Sequence, residues 1–161
     1  MDYINESYKV FADKGTEGII QFIGKNDSVE KLKYKLLELY INKINIIFSL
    51  IKKQNCNYDE LFVLLAEYPN EIKFCKQLFL HKENPEMNLT FLYGINAVKP
   101  LIISLLNTHL KISENIEYFN SVWMTMVESW CSELDVNNLT AKHMKDISEA
   151  TAEIINKLNK I

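Results

Sequence analysis

The 161-residue chain carries 18 basic against 21 acidic side chains, a net charge of −3, and is 48% hydrophobic with only four Gly and three Pro. Such a length fits one domain, 1–161 as a single unit, and the lack of a Ser/Gly/Pro-rich tract argues against a linker or disordered tail. The acidic balance excludes a general nucleic-acid binder, which needs a basic face, and every basic residue is Lys, so the guanidinium fork used for phosphate and guanine is missing.

Tyr3 to Ile23 carries apolar residues at Ile4, Tyr8, Phe11, Ile19, Ile20, Phe22 and Ile23, interrupted by Gly15 and Gly18, which predicts one helix with a weak middle or two short ones. No basic segment followed by an apolar core opens the chain, so no signal peptide is expected and a cytoplasmic location is the default. Asp27 and Glu30 form a capping box, after which no Gly or Pro interrupts the sequence as far as Lys53. The first half of this long helix alternates Lys and Glu with Leu, whereas the second, INIIFSLI, is apolar on about three sides and is expected to be the buried half. Asn57 with Glu60 starts a short helix that must stop before Pro69, and Pro69 suits the first turn of the next one, EIKFCKQLFLHK.

Pro85 breaks the chain again, with a new helix expected from near Met87. The stretch Leu89 to Leu110, LTFLYGINAVKPLIISLLNTHL, is apolar on nearly every side as a helix, which predicts a buried central element. Asn96, Lys99, Pro100 and Asn107 cut its apolar run far short of the roughly 20 residues that cross a membrane, so no span is expected. Pro100 predicts a kink, or a break into two helices near Val98. Ser113 caps a helix from Glu114 to Leu134 with Phe119, Val122, Trp123, Met126, Val127 and Trp130 on one broad apolar face. In the last helix, within 138–161, Thr140, Met144, Ile147, Thr151, Ile154, Leu158 and Ile161 alternate spacings of 4 and 3. That narrow heptad seam either packs on the domain or serves as a helix-to-helix dimer contact or a signal-transmitting segment. No β-type alternation competes, and the fold class is all-α with about six to eight helices.

Chemistry is sparse. Cys56, Cys75 and Cys131 are odd in number and widely spaced, which indicates neither a disulfide framework nor a zinc site and reads as small buried residues in a reducing compartment. His81, His109 and His143 stand outside any catalytic or metal-ligand spacing, and His81 and His109 suit last-turn capping. Carboxylates spread over charged faces and no Gly-rich phosphate loop occurs, so an enzyme and a metal cofactor are both disfavoured.

Polar residues inside apolar helices are more suggestive. Asn96, Pro100, Ser104 and Thr108 lie four apart on one line, with Lys99 and Asn107 beside it. This line either faces solvent, with Lys99 snorkelling outward, or borders an apolar cavity with a few polar groups that fix a ligand. For the second case the candidate pocket is Tyr40, Phe48, Phe74, Leu78, His81, Tyr93, Asn96, Lys99, Ser104, Trp123, Met126 and Trp130, with Lys99 meeting an anionic end.

The stretches EYPNEIKFCKQLFLHK, FLYGINAVKPLIISLL and YFNSVWMTMVESWCSELD, followed by the seam helix, give the chain a resemblance to the haem-less globin sensor domain of sporulation sensor histidine kinases and to its stand-alone, sporulation-inhibiting copies. The resemblance covers nearly the whole chain. It implies a globin-like fold without haem, a homodimer, and a fatty-acid-like ligand where haem would sit. It also implies competition with the kinase for its signal, the sequence stopping at Ile161 where a kinase would continue. Only His81 is a candidate proximal haem ligand, and Lys82-Glu83-Asn84-Pro85 ends its helix at once. The main rival is a viral Bcl-2-like domain that takes a partner helix in a groove, but its groove arginine and Asn-Trp-Gly-Arg signature are missing, Tyr93-Gly94-Ile95-Asn96 being a poor stand-in. A helical repressor's ligand-binding half is a third reading, without a basic helix-turn-helix to support it.

Overall fold

A computed structural model describes residues 3–23, 29–55, 58–110 and 116–158, and these form seven helices without a strand. They are α1 (Tyr3–Ile23), α2 (Val29–Gln54), α3 (Tyr58–Leu65), α4 (Pro69–Leu80), α5 (Pro85–Leu110), α6 (Ile116–Glu133) and α7 (Ala141–Leu158). The all-α class and the expected number of helices hold. The capping candidates Asp27, Asn57 and Ser113 lie outside the described residues, as do Cys56, Glu114 and Ile161 and the side chains of Asn107, Thr108, His109 and Leu158.

Local chemistry fixes the boundaries. α1 breaks at Gly15, whose φ of 70° and ψ of −155° are open to glycine and strained for any other residue. Pro69 opens α4, where its missing N–H is an orphan in any case. Asn84, not Pro85, makes the boundary of α5: its Oδ1 accepts from the amides of Glu86 at 3.0 Å and Met87 at 3.3 Å, and Pro85 is the first helical residue. Thr140 does the same for α7, its Oγ1 accepting from the His143 amide at 3.2 Å.

The short α4 sits at the junction, packed on α1, α2, α5 and α6. Phe74 on it is fully buried, and the rings of Tyr8, Phe11 and Tyr40 lie 4.5, 4.6 and 4.7 Å from its own. Fully burying one such side chain is worth about 1.5–3 kcal/mol, so this aromatic knot from three helices is a principal source of tertiary stability. Around it α2 packs on α1 and α5, and α7 covers α3 and α6.

Two expectations change. α2 does not bury its second half preferentially: Leu32, Leu36, Leu37 and Tyr40 are buried in the first half and Ile44, Ile47 and Ile51 in the second, while Ile46 is 60% exposed and Leu50 faces solvent. One stripe is buried along the whole helix, because α1 and α5 approach it from one side and the surplus apolar residues have no neighbour. Similarly, α5 is not enclosed on every side. Leu89 is 67% exposed, and Tyr93, Asn96, Ala97, Pro100 and Ser104 share that outward face. The helix also runs unbroken through Pro100. With Pro100 on the solvent face, the Asn96 carbonyl that loses its i+4 donor is turned to water, which spares the helix a break. No described helix is long and apolar enough to cross a membrane.

Candidate apolar cavity

A cavity of about 160 Å³ lies where α2, α3, α4, α5 and α6 meet. α2 supplies Tyr40, Ile44, Ile47 and Phe48, the i, i+4, i+7, i+8 positions of one face. α6 supplies Trp123, Val127, Trp130 and Cys131 with the same spacing. α3 closes one side with Leu61, Phe62 and Leu65, and α5 crosses with Ile95 and Ile102. Gly94 of α5 also borders the cavity, and a methyl group there would stand 3.5 Å from the Tyr40 ring, in ordinary contact. The half-buried Phe48, Leu65, Tyr68, Ile72, Trp130 and Leu134 form the open side.

Two charged residues, Glu71 and Lys76, border the cavity. Glu71 pairs with Lys43 at 3.9 Å, and the Lys43 ammonium also stands 5.3 Å from the Tyr8 ring. Lys76 donates to the Cys131 carbonyl in the last turn of α6, satisfying an orphan acceptor of that helix end. Trp130 donates its indole N–H to Thr151 Oγ1 of α7 at 2.7 Å, which fixes the ring at the open side. Trp123, 2% exposed, has no partner for its Nε1 among the described residues. Burial pushes the Tyr40 phenol well above the usual range. The surface offered to a guest is nearly all carbon.

The candidate pocket residues divide into three groups. Tyr40, Phe48, Trp123 and Trp130 line the cavity together. Phe74, Leu78 and Met126 are buried in the core without bordering it, because they belong to the adjoining faces of α4 and α6. His81, Tyr93, Asn96 and Ser104 are exposed, so the polar line of α5 is a solvent face, and half-buried Lys99 stands with its ammonium 5.8 Å from the Trp123 ring without bordering the cavity. His81 caps α4 through its backbone N–H and lies at the surface without bordering the cavity. Among the described residues, no group of three or more His, Cys, Asp or Glu is placed to hold a metal ion.

The lining residues that sequence reasoning passed over are Ile44, Ile47, Leu61, Phe62, Cys75 and Lys76 among others. Continuing the helical period from Tyr40 by four and seven reaches Ile44 and Ile47; nothing local marks Cys75 or Lys76.

On α7 the seam packs inward. Met144, Ile147 and Thr151 are buried within the chain, but Ile155 is 1% exposed where Ile154 was expected, and Ile154 is 40% exposed. A straight helix drifts about 20° per heptad against a 3.5-residue repeat, so the buried line moves on by one residue. Comparison with protein-family models, with curated proteins and with solved structures finds no match to this chain.

Proposed function

We propose that this chain is a signal-binding domain that takes a small apolar molecule into the cavity between α2 and α6, with an anionic end, where there is one, held at Lys76. One observation carries the reading: a cavity of about 160 Å³ bordered by Tyr40, Phe48, Trp123, Trp130 and aliphatic side chains. Its size is close to that of the engineered ~150 Å³ apolar cavity that takes up benzene. A monocyclic aromatic or a short fatty acid fits this volume, whereas a long acyl chain would extend beyond it through the open side. Lys76 replaces Lys99 as the cationic candidate because it borders the cavity and Lys99 does not.

The resemblance set out above supports a narrower proposal, in which the domain is globin-like, forms a homodimer and inhibits sporulation by competing with a sensor histidine kinase for its signal. In that role binding is the whole activity and no reaction is catalysed.

Octanoate and 1-octanol are the probes that test the cavity. Titration calorimetry is expected to register both, and Lys76→Met to weaken octanoate about tenfold, equivalent to 1.4 kcal/mol, while leaving 1-octanol unchanged. Equal loss for the two probes would reject Lys76 as the anion contact. Absence of binding by either would reject the cavity as a ligand site and favour the groove-binding reading. Native mass spectrometry of the purified protein before and after organic extraction then identifies any resident ligand and the number of subunits.

A further inference from the structure

α2 and α5 lie side by side and run the same way. The Tyr34 hydroxyl donates to the Glu86 carboxylate near their starts, and further along the Tyr40 ring and the Ile44 side chain rest against Gly94. Between Glu86 and Ser104 the outward face of α5 carries Leu89, Tyr93, Asn96, Ala97 and Pro100, all exposed and none charged. Lys99, the one charge in that stretch, is half-buried with its ammonium 5.8 Å from the Trp123 ring, off this face. Tyr34, 59% exposed, and the half-buried Ile41 two turns on extend the strip onto α2. With Leu89 67% and Tyr93 60% exposed, the two helices present a continuous apolar strip to solvent, the kind of surface that marks an interaction site.

The two ends of the strip differ in sign. Eighteen residues make five turns at about 3.6 residues per turn, so Ser104 stands on the same line of α5 as Glu86, and Lys52 on the same line of α2 as Tyr34. Because Tyr34 is beside Glu86, the exposed Lys52 in the last turn of α2 is level with Ser104. A carboxylate thus closes one end and an ammonium the other, about 27 Å apart at 1.5 Å per residue. A two-fold axis passing between Tyr93 and Ala97 lays the neutral strips of two copies together and sets Glu86 against Lys52 of the partner subunit at both ends. The strip is therefore complementary to itself in charge as well as in its apolar middle, which is what a two-fold interface demands.

We propose that this face of α2 and α5 is the interface of a two-fold homodimer, occupied by a second copy of the chain with its α5 antiparallel to the first. The seam of α7 is not available for that role, since Met144, Ile147 and Thr151 are buried inside the chain. A strip about 27 Å long and two helices wide covers roughly 500 Å² per subunit, less than the ~800 Å² of a standard interface, so micromolar association is expected. The proposal deepens the homodimer part of the reading above and needs no ligand in the cavity.

Sedimentation velocity of the full chain over a hundredfold range of concentration tests it. The parent is expected to pass from monomer to dimer, and Leu89→Asp and Tyr93→Asp to stay monomeric throughout. Both positions are exposed, and helical circular dichroism like that of the parent shows that each variant is folded. Lys52→Glu and Glu86→Lys are each expected to weaken the dimer about tenfold, and the two together to restore it to within about twofold of the parent. Within one chain these residues stand farther apart than the screening length of roughly 10 Å at 0.1 M salt, so the recovery can arise only between subunits. A parent that is monomeric at every concentration would overturn this interface and the homodimer reading together. A dimer that persists in Leu89→Asp and Tyr93→Asp would overturn the interface and leave the homodimer standing, and a double variant that fails to recover would overturn the antiparallel pairing. Pelleting of a monomeric parent with phosphatidylcholine vesicles, lost in Leu89→Asp, would overturn the second copy as occupant and assign the face to a lipid surface.

Discussion

At the scale of single residues, Thr151 shows how one hydroxyl can hold two helices. It is 2% exposed, donates to the Ile147 carbonyl at 2.8 Å within α7, and accepts the Trp130 N–H from α6. Thr151→Val keeps the volume but leaves the indole donor without its partner, which is expected to cost about 1–2 kcal/mol, read as a lower midpoint in urea unfolding at an unchanged slope. Tyr8 makes the opposite case. Its ring stacks on Phe74 while its hydroxyl has no partner among the described residues, so Tyr8→Phe is expected to preserve stability at neutral pH or raise it slightly. Neither behaviour was legible in the sequence. Thr151 stood out there only as a seam position, and the partner that gives its hydroxyl a role lies 21 residues away. The four candidate pocket residues that border the cavity are aromatic, a type whose size betrays it; Cys75 and Lys76 become cavity residues through tertiary contacts that no local pattern encodes.

Among the helices, Pro69, Pro85 and Gly15 marked boundaries, because they act through backbone sterics, whereas Pro100 lies inside α5 without ending it. Gly15 is the sharpest instance. Gly15→Ala would place a methyl group in a backbone conformation that side chains avoid and 2.8 Å from Gln77 Oε1. The glutamine end can swing aside, but the backbone cannot relax without re-aiming the first half of α1. A loss of about 1–3 kcal/mol is expected, with amide hydrogen exchange speeding up most strongly in Tyr3 to Lys14. Composition served less well for which face of a helix is buried. α5 was read as enclosed on account of its apolar residues, yet Leu89 and Tyr93 are exposed beside Asn96 and Ser104. The surplus of apolar residues hides the difference between faces, and only the placing of α2, α3, α4 and α7 settles it. On α7, by contrast, the apolar residues are few, and three of the four proposed seam positions whose side chains are described are buried.

For the molecule as a whole, the knot around Phe74 makes stability depend on keeping phenols protonated. Burial pushes Tyr8 upward, with Glu71 adding to the shift, and burial pushes Tyr40 upward as well. Their pKa values are therefore higher folded than unfolded, so the contribution is complete below the unfolded value of 10.0 and is lost as pH rises above it. The urea midpoint is expected to fall above roughly pH 10, with tyrosinate absorbance rising together with the loss of helix. Because lysines titrate in the same range, Tyr8→Phe separates the two causes and should flatten part of the decline. The all-α character of the fold was readable from the sequence, since helical periodicity recurs along the chain. The position of the cavity was not, since it exists only where five helices converge. That convergence has an optical consequence. Trp123 and Trp130, the two tryptophans of the chain, both border the cavity with centroids 5.8 Å apart and planes at 86°. Every indole photon the protein emits thus comes from the cavity wall, and the near-perpendicular pair forms a coupled chromophore whose near-ultraviolet dichroism registers any tilt of one ring against the other, so the chain carries a label-free reporter of its own interior.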